Sequence, residues 1–424
     1  MRKVQIVALL VLLLFIFCGC TRENPAYVYL QKSDGSYMLY KILEEVDSSL
    51  VIDSHYRGKP ITEIRKEVFY GCDYLESVTI PDTVEILGGY CFAHCENLKE
   101  IHLGANVREI SSAFYALFSL EKITVSNENP YYHVENNCLI ETATNTVVLG
   151  SKNSAIPDTV TAIGDRAFSG AYELKSIDLP ANLQAIGEEA FAGAGFEEIE
   201  IPNSVLEIGE CAFLGTPIVA IRIPDKVKEL PYYIFAGCTR LERVYIGASV
   251  ENIKRDSGMD AFFNTPKLHI VEVSEENPTY RSEGNCIIER EANRLIFATI
   301  DAQIPQSVQI LAEGSLWEYD MYSETPLTQR TTLNIPQSVD KIEHQAIIGY
   351  TNLQSIYIPK NVTVIERAGI YIDNRSQDKI STTTIYCEAA EKPDGWHEEW
   401  LYCQGEYNVV WGYDFTQINA PEQQ

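Results

Sequence analysis

The group of side chains best suited to metal chemistry is Cys91, His94, Cys95 and His102, since two thiols and two imidazoles suit tetrahedral zinc. Their positions oppose it. Cys91 precedes Phe92 in a slot that comparable segments fill with Ala, Cys95 falls where a compact buried residue is wanted, and His102 points outward from an alternating stretch. The four side chains therefore diverge, and no metal is expected. His397 stands beside Glu398 and Glu399 but lacks the second histidine that would put two ligands on one helix face. Neither a Gly-x-Ser-x-Gly elbow nor a glycine-rich phosphate loop nor a calcium-loop aspartate series occurs, so the chain reads as non-catalytic and without cofactor. With 33 Lys+Arg against 60 Asp+Glu the formal charge is −27, which repels phosphate backbones and excludes nucleic acid as a partner.

What would position any functional side chain here is a repeat. Phe69, Phe92, Phe114, then Phe168, Phe191, Phe213, Phe235 and Phe262 recur at steps of 23, 22, 54, 23, 22, 22 and 27. A second marker keeps the same phase: Ile/Leu-Pro or Ile/Leu-Gly ends at Pro81, Gly104, Pro157, Pro180, Pro202, Pro224, Gly247, Pro305, Pro336 and Pro359. In the unit from Pro157 to Leu179 the proline opens a turn, Val160 and Ile163 point inward, and Gly164 permits a tight bend. Ala167 and Phe168 are expected to begin a short helical turn, and the alternation over Ile177-Asp178-Leu179 predicts a short strand. One such unit buries too little to fold alone. Stacked units cover each other's apolar faces and pair their strands into a parallel sheet.

This pattern resembles the BspA-type (Treponema-like) leucine-rich repeat family, whose consensus runs Pro-x-Ser-Val-Thr-x-Ile-Gly-x-x-Ala-Phe-x-x-Cys-x-x-Leu-x-x-Ile-x-Ile. The resemblance covers roughly residues 58–386. It implies an α/β-type repeat solenoid with short parallel strands on one face and short helical turns on the other. It also implies a bacterial surface or secreted protein associated with adhesion to host proteins and other cells. Two segments interrupt the period and match each other at an offset of 148, Val125–Glu141 and Val273–Glu289. Both read as inserted β-hairpins, near 126–155 and 274–303. Residues 20–57 read as an anchor and N-terminal hairpin cap, and 58–386 as the solenoid. Residues 387–413, with Trp396, Trp400 and Trp411, resemble the family's terminal cap, and 414–424 read as a mobile polar tail.

The chain opens on Met1-Arg2-Lys3, an apolar run from Val4 to Phe17, then Cys18-Gly19-Cys20, which is the layout of a secretory signal rather than a membrane span. It resembles a bacterial lipobox with Gly19 before Cys20, although Phe17 stands where Leu is usual and Cys18 where a small residue is usual. The resemblance implies removal of residues 1–19 and lipid modification at Cys20, hence a membrane-attached, extracytoplasmic, cell-surface protein. Acyl chains, at about 0.8 kcal/mol per buried CH₂, would hold an anionic body to a bilayer that electrostatics alone rejects. Of the 11 cysteines, Cys72, Cys95 and Cys238 lie three residues after a repeat Phe, a slot otherwise holding Leu117, Ala171, Ala194, Thr216 or Thr265, where a free thiol packs like a small hydrophobe. A bridge between Cys387 and Cys403 stays open.

The remaining functional surface is the outward ladder of the strands: Thr79, His102, Thr124, Asp178, Glu200, Arg222, Tyr245, Glu272 and Tyr357. Beside it runs a column with Ser77, Glu100, Lys122, Ser176, Glu198, Arg243 and Ser355. Arg222, Arg243, Tyr245 and Tyr357 are the binding candidates, because Tyr and Arg dominate interface hot spots. The expected function is macromolecular binding, to protein or glycan on host or neighbouring cells. The alternative is a carbohydrate- or nutrient-capturing lipoprotein that stacks sugars on Trp396, Trp400 and Trp411, unless those rings seal the last repeat.

Overall fold

The structure is a computed structural model, and it describes residues 26–255, 261–317, 330–350, 353–373, 375–376, 379–380 and 382–415. Cys20 lies outside the described residues. The chain divides into two units, residues 1–143 and 144–424. Each is a stack of coils held together by short strands and turns, and no described residue lies in an α-helix.

In the first unit, Tyr27–Gln31 pairs antiparallel with Tyr37–Ile42, and this hairpin runs parallel to Lys59–Ile64. The front sheet is parallel throughout: Ser49–Val51, Ser77–Thr79, Glu100–Leu103 and Lys122–Val125. Its register sets Ser77 opposite Glu100 and Glu100 opposite Lys122, so equivalent residues line up. Behind it Phe69, Phe92 and Phe114 stack with ring centroids 5.0 and 5.6 Å apart. The unit ends in a hairpin, Tyr132–Glu135 against Cys138–Glu141.

In the second unit Phe168, Phe191, Phe213, Phe235 and Phe262 form a longer column with centroids 5.4, 5.7, 6.0 and 6.0 Å apart. A line of two-residue strands, Ala162–Ile163, Ala185–Ile186 and Glu207–Ile208, joins the coils on a second face. The front carries two sheets: Ala220–Arg222, Arg243–Ile246 and Ile270–Val273, and then Thr332–Asn334, Ser355–Ile358, Thr382–Cys387 and Glu406–Trp411. Between them Tyr280–Glu283, Cys286–Glu289 and Arg294–Ala298 form an antiparallel meander.

One asparagine anchors each insert. Asn277 donates to the carbonyls of Gly247 and Val250, both at 3.0 Å, while its Oδ1 accepts the N–H groups of Thr279 and Tyr280. Asn129 does the same in the first unit with Gly104, Val107, Tyr131 and Tyr132.

Two expectations fail. The phenylalanine turn is not helical, because the residues two before and two after the Phe are left-handed: Arg166 at φ 61° and Gly170 at φ 79°, Glu189 at 50° and Gly193 at 68°. A helix needs consecutive right-handed residues. What the turn gains instead is a ladder between coils. The N–H groups of Arg166, Phe168 and Gly170 donate to the carbonyls of Glu188, Ala190 and Ala192 at 2.8, 2.8 and 2.7 Å. The compact slot after the Phe also joins coils through polar contacts, since Cys95 and Cys238 donate their thiols to the carbonyls of Phe69 and Phe213, at 3.1 and 3.0 Å.

The second failure is the strand at 177–179, for neither Ser176–Leu179 nor Glu198–Ile201 is a strand. Two features oppose pairing there. Asp178 and Glu200 fall on adjacent rungs, and like charges directly opposite destabilise a pair. The turns after Phe191 and Phe213 are also one residue shorter, reaching Pro202 and Pro224 in 11 residues where Phe168 reaches Pro180 in 12.

Candidate functional site

The interruption leaves a groove on the front of the second unit. A cavity of ≈ 280 Å³ lies among Asp178, Ala181, Glu200 and Pro202. A cavity of ≈ 390 Å³ adjoins it, lined by Glu200, Pro202, Ala220, Arg222, Arg243 and Tyr245 among others. Glu200 and Pro202 belong to both, so the groove is continuous from Asp178 to Tyr245.

Its charged end is built by strand register. The pairing of Ala220–Arg222 with Arg243–Ile246 sets Arg222 beside Tyr245 and Ala220 beside Arg243. The Arg222 guanidinium lies 3.8 Å from the centroid of the Tyr245 ring, a cation–π contact, and is steadied by Asp225 at 3.4 Å. Arg243 is exposed and makes no ion pair among the described residues. Its flanking rungs are Ala220 and Ile270, neither of which offers a carboxylate. On the front of the first unit, by contrast, Lys122 is paired with Glu100 at 3.1 Å. In a chain of charge −27, an unneutralised arginine beside a stacked one is a local positive site next to the acidic Glu200 and Asp178.

Arg222, Arg243 and Tyr245 are thus brought together, and Tyr357 is not among them. Tyr357 stands in the later front sheet, stacked on Tyr386 at 4.8 Å and packed against Tyr413 and Phe415 at 5.9 and 5.8 Å. Burial raises its phenol pKa. Sequence reasoning missed the groove itself, with Pro202 and Ala220 in its wall. The available signal was the shortened spacing from Phe191 to Pro202.

The other candidates have structural roles. His94 packs between the rings of Tyr70 and Tyr115 at 5.2 and 5.3 Å, while His102 Nδ1 lies 3.0 Å from Thr124 Oγ1. Cys91 and Cys95 are buried. Burial pushes the Cys95 thiol up to about 12 and that of Cys238 up to about 11, so neither is a ready nucleophile. Cys387 is a buried free thiol and is not bridged to Cys403. Trp396 and Trp400 are 3% and 6% exposed and, with Trp411, close the apolar end of the last coils; Trp396 Nε1 donates to the Val362 carbonyl at 2.9 Å. The Trp396 and Trp400 rings are thus part of the core, while Trp411 is half-buried against it.

No helix of the described residues is long and apolar enough to cross a membrane. No curated protein matches the chain. Among solved structures it is similar to the pneumococcal vaccine antigen PcpA, at 20% identity over 52% of this chain and 63% of that one, TM-score 0.42. It spans less than two thirds of that antigen's length. A leucine-rich cell surface protein from Faecalibacterium prausnitzii matches at 20% identity over 94% of this chain and 96% of its own, TM-score 0.40. A leucine-rich repeat protein from Bacteroides ovatus matches at 20% identity over 91% and 75%, TM-score 0.33. The family model described as the BspA type leucine rich repeat region matches in six copies over residues 62–160, 161–283 and 318–384, and with its phenylalanine column and parallel front strands this chain belongs to that family.

Proposed function

We propose that the chain is a non-catalytic, lipid-anchored cell-surface protein that binds macromolecules on host or neighbouring cells through the front of its second unit. The observation that carries this reading is the groove beside Arg222, Tyr245 and Arg243. It joins an unneutralised guanidinium and a stacked Arg–Tyr pair, in a family whose resemblance implies adhesion. Cys20 is the anchoring residue in this reading.

A binding screen of the lipid-free chain against extracellular-matrix proteins and glycans tests it. Arg243→Ala and Tyr245→Ala should each weaken a hit by about 1–2 kcal/mol without changing the melting temperature. A hit unaffected by both substitutions removes the groove from the proposal. Loss of radiolabelled palmitate on Cys20→Ala tests the anchor, and labelling that survives the substitution excludes Cys20.

A further inference from the structure

The front sheets run out at Lys122–Val125 in the first unit, and at Ile270–Val273 and Glu406–Trp411 in the second. In a parallel ladder alternate residues turn both backbone groups to the same neighbour. On these sheets the inward residues point theirs toward the next coil: Ile80 N–H donates to His102 O, Ile223 to Tyr245 O and Ile335 to Tyr357 O, at 2.8, 2.8 and 3.1 Å. Where Lys122–Val125 ends its sheet, the insert supplies the missing acceptor, Asn137 Oδ1 taking the Ile123 N–H at 2.9 Å. At Ile270–Val273 the second insert does likewise, Ser282 Oγ taking the Val273 N–H at 3.1 Å.

The last strand is left differently. Its register, Ile385 opposite Val409 and Cys387 opposite Trp411, carries Tyr407, Val409 and Trp411 to the forward-pointing position, where no acceptor meets them among the described residues. Nor is the edge blunted. Glu406–Trp411 contains no proline, lysine or bulge, and Tyr407 and Val410 are 49% and 37% exposed. The coil that ends in this strand is acidic, with Glu388, Glu391, Asp394, Glu398, Glu399 and Glu406 against Lys392. Lys360 answers Glu388 and Arg367 answers Glu399, while Glu391, Asp394, Glu398 and Glu406 meet no cation among the described residues.

We propose that Glu406–Trp411 is a docking edge that accepts an extended polypeptide bearing lysine or arginine, added as a further strand. Charge selects this occupant. A second copy of the chain would bring an equally acidic coil, and residues 416–424 contain one Glu and no Lys or Arg. The site is separate from the arginine groove, so either can fail without the other.

The test is fluorescence anisotropy on the full chain with a labelled eight-residue peptide of alternating lysine and valine. Its glutamate–valine counterpart and a version N-methylated at alternate residues serve as controls. Expected are binding about tenfold tighter than the glutamate peptide, a loss of about tenfold on N-methylation, and a similar loss in Tyr407→Pro, which removes one forward N–H. Arg243→Ala should leave the affinity unchanged. Absence of binding, equal affinity for the N-methylated peptide, or a dimer abolished by Tyr407→Pro would overturn the proposal. The N-methylated peptide decides the matter even if the proline variant folds poorly.

Discussion

Between residues 164 and 247 the two sides of the same coils obey different rules. On the phenylalanine side the contacts are unbroken: the N–H groups of Phe168, Phe191 and Phe213 reach the next coil's Ala190, Ala212 and Ile234 carbonyls at 2.8, 2.9 and 3.1 Å, and the rings stack above one another. On the strand side the ladder fails over two successive rungs and resumes only at Ala220–Arg222. Coil spacing is therefore held by the phenylalanine side together with the two-residue strands Ala162–Ile163, Ala185–Ile186 and Glu207–Ile208. The strand side is free to open a groove and to carry charges that do not match their neighbours, which is what a binding surface requires and a stabilising one avoids.

The comparison breaks most directly at Phe191, which is fully buried between Phe168 and Phe213. Phe191→Ala should cost about 3–5 kcal/mol, the usual penalty for deleting a buried aromatic ring. The matched change on the front, Arg243→Ala, should stay within about 0.5 kcal/mol. Urea unfolding of the two variants measures both, and similar losses would mean that the two sides share the load. Hydrogen exchange gives the same contrast without substitution. The Phe191 amide should exchange about a thousandfold more slowly than the amides of Ile177 and Ile199, which lack ladder partners among the described residues.

A smaller effect is expected where the short turn crosses from one side to the other. Gly195 donates its N–H to the Ala171 carbonyl, and a Cβ built on it would lie 1.8 Å from the Tyr172 carbonyl oxygen. That approach is to backbone and cannot be relieved by a rotamer change. Gly195→Ala should cost about 1–3 kcal/mol and alter the groove as the coil shifts. An alanine variant as stable as the parent would show that the shortened turn does not hold the front in place.

The repeat was legible because Phe and Pro recur in phase, so the column, the parallel register and the compact Cys slot follow from counting. The conformation of the phenylalanine turn was not. Ala-Phe within a 22- or 23-residue unit suits a helical turn by propensity, whereas the backbone N–H groups of the left-handed Arg166 and Glu189 donate to carbonyls of a coil more than 20 residues away. The strand expected at 177–179 fails for a related reason. Alternation describes which faces a segment buries, whereas pairing depends on the neighbouring rung, where Asp178 meets Glu200. Of the candidate site, register alone brought Arg222 to Tyr245. Tyr357 shares their position in the repeat, but the ring of Tyr386 on the next rung and the returning Tyr413 and Phe415 draw it into a separate aromatic cluster.

The least costly substitution sharpens the comparison further. If like charge on adjacent rungs helps to keep the front open, removing one partner should let the ladder form. Asp178→Thr replaces a carboxylate with a β-branched residue of high strand propensity, as Thr79 and Thr124 already provide in the paired front of the first unit. The expected gain is about 0.2–1 kcal/mol from the relieved pair, with slower exchange at Ile177 and Ile199. Affinity for any ligand of the groove should fall as the gap closes. Slower exchange without a loss of affinity would separate the groove from the interruption. Unchanged exchange would assign the interruption to the short turns alone, since these are the same in the variant and the parent.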